Sequence, residues 1–213
     1  MSETRQGAVC RWPGGQSNQS PLPDPVTDLD PPTQGAVAEA ILAGGCFWCV
    51  EAVFLALQGV HEVTSGYAGG DRATASYRQV CSGTTGHAEA VRVRFDPAMI
   101  SFGALLKVFF GVAHDPTQRN RQGNDVGPQY RSAIFYLDEA QRAVAEAYIQ
   151  QLNDSGVFSA PIATTLEAHS GFYPAEDEHQ NFAQRHPDAG YIRVVALPKL
   201  DKLKHAFAPQ LRG

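Results

Sequence analysis

Apolar positions along this chain gather into short runs from about residue 36, and their spacing switches between the periods of strand and helix. Residues 36–43, AVAEAILA, read as a buried strand that runs into Gly44 and Gly45. Over residues 46–58 the apolar positions Phe47, Val50, Phe54 and Leu57 fall three and four apart, the stripe of a core-facing helix. Residues 60–67 are strand-like, broken by Gly66, Gly69 and Gly70. Residues 89–95, EAVRVRF, alternate cleanly, with Val91, Val93 and Phe95 on one face and Arg92 and Arg94 on the other. Asp96-Pro97 ends that strand. Ser101 is placed to cap a helix carrying Leu105, Leu106, Phe109 and Phe110. Residues 132–137 give another strand, and Asp138 is placed to cap a helix rich in Ala, Glu and Gln that runs to about residue 152. A strand over 162–168, a helix over 175–184 and a short helix over 199–207 complete the series. The loose alternation, with a strand pair that can be antiparallel, predicts an α+β two-layer domain rather than a doubly wound sheet.

Composition divides the chain. Residues 1–34 are poor in large aliphatics and rich in Pro, Gln, Ser and Asp, and read as an irregular N-terminal extension that Trp12 could pin down. Residues 35–213 read as one domain, ending in a tail without cysteine. The chain has 213 residues, 43% of them hydrophobic, enough for a real core. A net charge of −5 with no basic block argues against nucleic-acid binding. No run approaches the roughly eighteen apolar residues of a membrane span. The opening MSETRQGAVCRWPGG lacks the apolar stretch of a secretory signal, and early acidic residues argue against a transit peptide. The expectation is a cytoplasmic protein, a plain monomer, whose cysteines are kept reduced.

Two of the four cysteines stand three apart in GGCFWCVEAVF, residues 44–54. Glycines ahead of Cys46 allow a tight turn and close approach of a ligand. A thiolate at a helix start is favoured by unpaired N–H groups, so Cys46 is expected to be a low-pKa nucleophile. Cys49 lies one turn on, and the pair can close a disulfide once Cys46 has reacted. The motif alone leaves rivals. Cys46, Cys49, Cys81 and His87 could form a zinc site, although a second C-x-x-C or H-x-x-H is missing. The cysteines could be plain core residues. A disulfide oxidoreductase is a third reading.

Five segments, this motif among them, bear on that choice. GCFWCVE, SGYAGG at 65–70, YRQVCSGTTGHAEAVRVRFDP at 77–97, HDPTQRNRQGNDVGPQYRSAIF at 114–135 and FYPAEDEHQNF at 172–182 occur in this order. Together they resemble the peptide methionine sulfoxide reductases of the A type, over about residues 38–185. The resemblance implies an α+β roll with a mixed sheet around a ferredoxin-like core. It implies reduction of methionine-S-sulfoxide, free or in proteins, in repair of oxidised proteins. It implies no bound cofactor or metal, and an external reductant, thioredoxin. By the same resemblance Cys46 attacks the sulfoxide; Glu89, Tyr77 and Tyr130 donate protons or hydrogen bonds to its oxygen; Phe47 and Trp48 hold the methyl group; and Asp125 shapes the site. Glu89 can donate only if protonated, so a buried position that raises its pKa is expected. His87 is read as a structural histidine near Glu89, Glu51 as a helix-surface or supporting residue, and the AEDEHQNF segment as packing beside the site.

The chain departs from that family in two ways. Phe182 stands where many relatives carry Tyr, and no cysteine follows Cys81, so resolution by a tail cysteine is excluded. Cys46 becomes a sulfenic acid in the first step. Cys49 is the expected resolving partner, ahead of direct attack by an external thiol. Cys81, at a position usually buried in relatives, ranks last, and Cys10 is read as a bystander.

Overall fold

Strand β3 (Ala88–Phe95) lies inside a six-stranded sheet and carries its apolar face. The computed structural model describes residues 22–30 and 35–212. The other strands are β1 (Ala38–Gly44), β2 (Val60–Ala68), β6 (Ser132–Tyr136), β7 (Thr165–Ala168) and β8 (Phe172–Pro174), in the order β7-β6-β1-β3-β2-β8. Every pairing is antiparallel except β6 with β7. The inner order β6-β1-β3-β2, with helices between β1 and β2 and between β3 and β6, is the split βαβ arrangement of a ferredoxin-like core. A two-stranded hairpin, β4 (Arg121–Gln122) and β5 (Asp125–Val126), stands apart.

The helices are α1 (Phe47–Leu55), α2 (Tyr77–Val80), α3 (Phe102–Val108), α4 (Glu139–Ser155), α5 (Phe182–Arg185) and α6 (Leu197–Phe207). Strand alternation sends Ala40, Leu42, Val91, Val93 and Ile134 to the main core, where they meet Phe54 of α1, Leu105 of α3 and Tyr148 of α4. Ile41, Ala43, Ala88, Ala90, Ala133 and Phe135 line the opposite face under Phe172. The arginines of β3 lie on this second face. Arg94 pairs with Glu39 and Glu62, and Arg92 sits over the Phe172 ring at 5.3 Å. Among the described residues no helix is long and apolar enough to cross a membrane.

Two caps fall where the sequence puts them. Ser101 accepts from the Ala104 N–H and Asp138 from the Gln141 N–H. The strand expected over 162–168 begins only at Thr165, because Ile162 and Ala163 bond elsewhere, to Asn153 and Pro116. The helix expected over 175–184 is broken into a turn, Asp177–His179, and the short α5. Gln180 causes the break. Its side-chain amide accepts from the Ser65 N–H and donates to the Ser65 and Ala175 carbonyls, fastening the segment to the end of β2. Asn181 then takes a left-handed conformation, φ 52°. The last helix starts earlier than its sequence suggests, because a wide turn, Ile192–Ala196, leads directly into α6.

Residues 22–30 are tied to the helical face; Cys10 and Trp12 lie outside the described residues. Leu22 is buried, the Tyr148 hydroxyl donates to the Pro23 carbonyl at 2.8 Å, and Lys107 pairs with Asp24 at 2.7 Å. Asp28 accepts from the Ser101 hydroxyl at 2.5 Å and from the Gly103 N–H at 2.9 Å. It thus supplements the α3 cap from a distant part of the chain. Asp28→Ala is expected to lower stability by about 1–2 kcal/mol, read as a lower urea midpoint at unchanged slope. An unchanged midpoint would mean that this tie carries no stability.

Candidate active site

The turn from β1 into α1 needs both of its glycines. Gly45 has φ 87°, and a Cβ there would meet the Gln122 side chain at 2.5 Å. Gln122 is itself fixed, bonding both the N–H and the carbonyl of Asp115 at 2.9 Å. A Cβ on Gly44 would meet the Phe109 ring at 3.0 Å and His114 at 3.1 Å. Burial depresses the His114 pKa to about 3, so the ring is neutral. Its Nδ1–H donates to the Phe109 carbonyl, which leaves Nε2 to accept from Ser132.

Cys46 ends this turn, and its carbonyl accepts from the Cys49 and Val50 N–H groups. The first free amide of α1, on Phe47, does not point to water. It donates to Glu89 Oε2 at 3.0 Å. Glu89 stands on β3, 2% exposed, and burial pushes its carboxyl up to about 8. The Phe47 N–H opposes that rise, while Asp125 and Cys49 add to it. At neutral pH this group is a carboxylic acid. With one oxygen engaged by the amide, the other is left to carry the proton.

The two sulfurs touch. Burial raises the Cys46 thiol well above its ordinary value, and the Cys49 sulfur and the Glu89 carboxyl raise it further. Cys49 moves the opposite way, chiefly because the Cys46 thiol donates to it, with Lys199 and the Tyr191 hydroxyl acting in the same direction against burial. The expected low-pKa Cys46 is therefore corrected. The favourable helix start is outweighed by desolvation and by the acid beside it, and Cys49 is the more acidic sulfur.

Tyr67 faces Glu89 across the β2–β3 ladder, and its hydroxyl donates to Glu176 Oε2 at 2.9 Å. Glu176 also accepts from the Tyr77 N–H at 2.9 Å, which seats α2 over the site. The Tyr77 ring lies 4.2 Å from His179, and Tyr130 follows the β4–β5 hairpin. Burial raises both phenols, so both remain O–H donors. Asp125, on β5, accepts from the Tyr191 hydroxyl at 2.5 Å. Phe47 is buried between Tyr67 at 5.9 Å and His179 at 5.5 Å. Trp48 is half-buried, stacked on Phe182 at 3.8 Å with Tyr191 edge-on at 6.0 Å. Cys46, Cys49, Glu89, Tyr77, Tyr130, Asp125, Phe47 and Trp48 thus lie in one neighbourhood.

Two neighbours, Tyr191 and Tyr67, were not given a role, while Glu176 and His179 lie in the AEDEHQNF segment expected to pack beside the site. Tyr191 lies in AGYIRVV, which carries no charge pattern, and Tyr67 reads as a core strand residue. Glu51, read as a surface or supporting residue, is 1% exposed and accepts from the Asn181 N–H. It supports the site from within. His87 is buried and held by the Gly70 N–H and the Asp71 carbonyl. Among the described residues no group of three or more His, Cys, Asp or Glu could hold a metal ion. The Cys46, Cys49, Cys81, His87 set is not assembled. Cys81 is exposed rather than buried, at the rim beside the Tyr77 hydroxyl.

Comparison with known proteins identifies the family. A family model described as peptide methionine sulfoxide reductase matches residues 38–211. A protein of Synechocystis sp., "Peptide methionine sulfoxide reductase MsrA 2", is 50% identical over 194 residues, 90% of this chain and 91% of its own length. A Thermus thermophilus protein, "Peptide methionine sulfoxide reductase MsrA", is 54% identical over 173 residues, covering 81% of this chain and 97% of that one. Among solved structures, reduced Mxr1 from Saccharomyces cerevisiae superposes with a TM-score of 0.64 at 32% identity, covering 73% of this chain and 89% of that one. Methionine sulfoxide reductase A of Corynebacterium diphtheriae gives 0.59 at 32% identity, over 87% and 91% of the two chains. On sequence and fold together, this chain belongs to the peptide methionine sulfoxide reductase family.

Proposed function

We propose that the enzyme reduces methionine-S-sulfoxide, free or within proteins, by the chemistry of the Cys46–Glu89 pair. The observation that carries this reading is a buried carboxylic acid bonded to the first amide of the helix that Cys46 opens. Membership of the reductase family supplies the reaction: a thiol takes up the sulfoxide oxygen and methionine is released. The neutral acid and the neutral thiol then balance the first step. Cys46 sulfur attacks the sulfoxide sulfur as Glu89 gives its proton to the oxygen, and Glu89 recovers a proton from the Cys46 thiol. The hydroxyl then passes to Cys46 as the transient S–S bond and the substrate S–O bond break and methionine keeps the electron pair, leaving a Cys46 sulfenic acid and consuming no external acid. Tyr77 and Tyr130 serve as hydrogen-bond donors to that oxygen, Asp125 positions the substrate, and Phe47 with Trp48 holds the methyl group in a dry pocket.

In the second step the Cys49 sulfur attacks Cys46 Sγ and water leaves, giving a Cys46–Cys49 disulfide. Contact between the sulfurs and the acidity of Cys49 support that pairing. A thioredoxin-type dithiol closes the cycle. The reading requires no metal or organic cofactor, and takes the enzyme as a cytoplasmic monomer, in a compartment that keeps thiols reduced.

Cys46→Ser is expected to abolish methionine release. Cys49→Ser should release one equivalent of methionine per enzyme and then turn over poorly with thioredoxin; normal turnover would remove Cys49 from the cycle. Single-turnover methionine release should fall as the pH rises through about 8, where Glu89 loses its proton. Glu89→Gln should slow the reaction by about a hundredfold or more and abolish that limb of the profile. A limb that survives in Glu89→Gln would assign the proton to another group.

A further inference from the structure

The two sulfurs of the pair are placed unequally. Cys46 lies at the aromatic pocket and keeps 8% of its surface exposed, whereas Cys49 keeps none. Cys49 is sealed by Ile192 and Ala196, in the turn before α6, with Trp48, Phe182 and Tyr191 around the rim. A reductant's thiolate must approach a disulfide nearly in line with the bond it breaks, so the sulfur it attacks must be open to it. Only Cys46 is.

The surroundings of Cys49 suit the opposite role. Lys199, on α6, is anchored by its ammonium to the Ala113 carbonyl at 2.7 Å. From there it acts on Cys49 as a positive charge, and the Tyr191 hydroxyl lies against both sulfurs. The acid groups facing the pair are Glu89 and Asp125. Lys199 acts on Cys49 and not on Cys46, and a sulfur that a cation stabilises as thiolate is the better leaving group.

We propose that reduction of the oxidised enzyme is directional: the external thiolate attacks Sγ of Cys46 and Cys49 leaves, with Lys199 as the positioning residue for the departing charge. In this step the reductant's sulfur bonds to Cys46 Sγ, the Cys46–Cys49 bond breaks, and its electron pair goes to Cys49 as thiolate. The reductant's second thiol then attacks its own bridging sulfur and frees Cys46, so two electrons pass from the dithiol to the enzyme. The inference rests on the Cys46–Cys49 disulfide of the proposed function.

The test uses the full-length enzyme carrying Cys10→Ser and Cys81→Ser. It is first oxidised with methionine-S-sulfoxide and mapped for the disulfide. It is then mixed with a thioredoxin that lacks its second active-site cysteine, quenched with an alkylating reagent and mapped again. The expected product has thioredoxin on Cys46 and the alkyl label on Cys49. A Cys46–Cys49 disulfide followed by thioredoxin on Cys49, or on both equally, overturns the direction and leaves the proposed function intact. Methionine release without that disulfide overturns the resolution step and this inference with it.

Lys199→Met should slow disulfide reduction by roughly three- to tenfold while retaining the single-turnover burst of methionine. It should also move the pH at which newly freed Cys49 becomes alkylated upward, and Lys199→Arg should restore both. An unchanged pH for Cys49 alkylation in Lys199→Met would remove Lys199 from the step.

Discussion

The contact between the Phe47 amide and the Glu89 carboxyl is the point on which the site turns. A helix start has amides without partners, and water or a polar side chain usually satisfies them. Here the partner comes from β3, inside the sheet, so a hydrogen bond of 3.0 Å joins the start of α1 to the sheet. It orients α1 and brings Cys46 against an acid. It also keeps that acid where water cannot solvate its charge. A carboxyl moved out to solvent would ionise near its ordinary pKa and offer no proton at neutral pH.

The electrostatics of the cysteine pair follow from the same placement. Desolvation acts on both sulfurs, but the Glu89 carboxyl raises Cys46 further, while Lys199 favours charge on Cys49. The motif therefore divides its labour: one sulfur held neutral at the pocket, the other held acidic beneath α6. Aromatic side chains supply the rest of the wall. Phe182 adds a tight stack on Trp48 at 3.8 Å.

Much of this was legible in the sequence wherever a local signal coincided with the global one. The alternation of β3 and the caps at Ser101 and Asp138 describe their elements because periodicity and capping are short-range effects. The site residues were legible chiefly through ordered motifs, since nothing local distinguishes Glu89 from any acidic residue at a strand start. Three features were hidden for a common reason. The break at Gln180 depends on its bonds to Ser65, far along the chain. The rise in the Cys46 pKa depends on burial that only tertiary packing creates. Tyr191 reaches Asp125 across 66 positions of sequence, with no spacing to announce it.

The seat of the acid and the seat of the aromatic wall belong to different kinds of structure. Glu89 stands on β3, paired with Tyr67 of β2, whereas His179, Phe182 and Tyr191 hang on turns and short helices after the last strand. Substitutions in those later segments can reshape what the pocket admits while the strand that carries the proton stays as it is. A lineage built on this plan can drift in selectivity and keep its reaction, because heritable variation in one need not pass through the other.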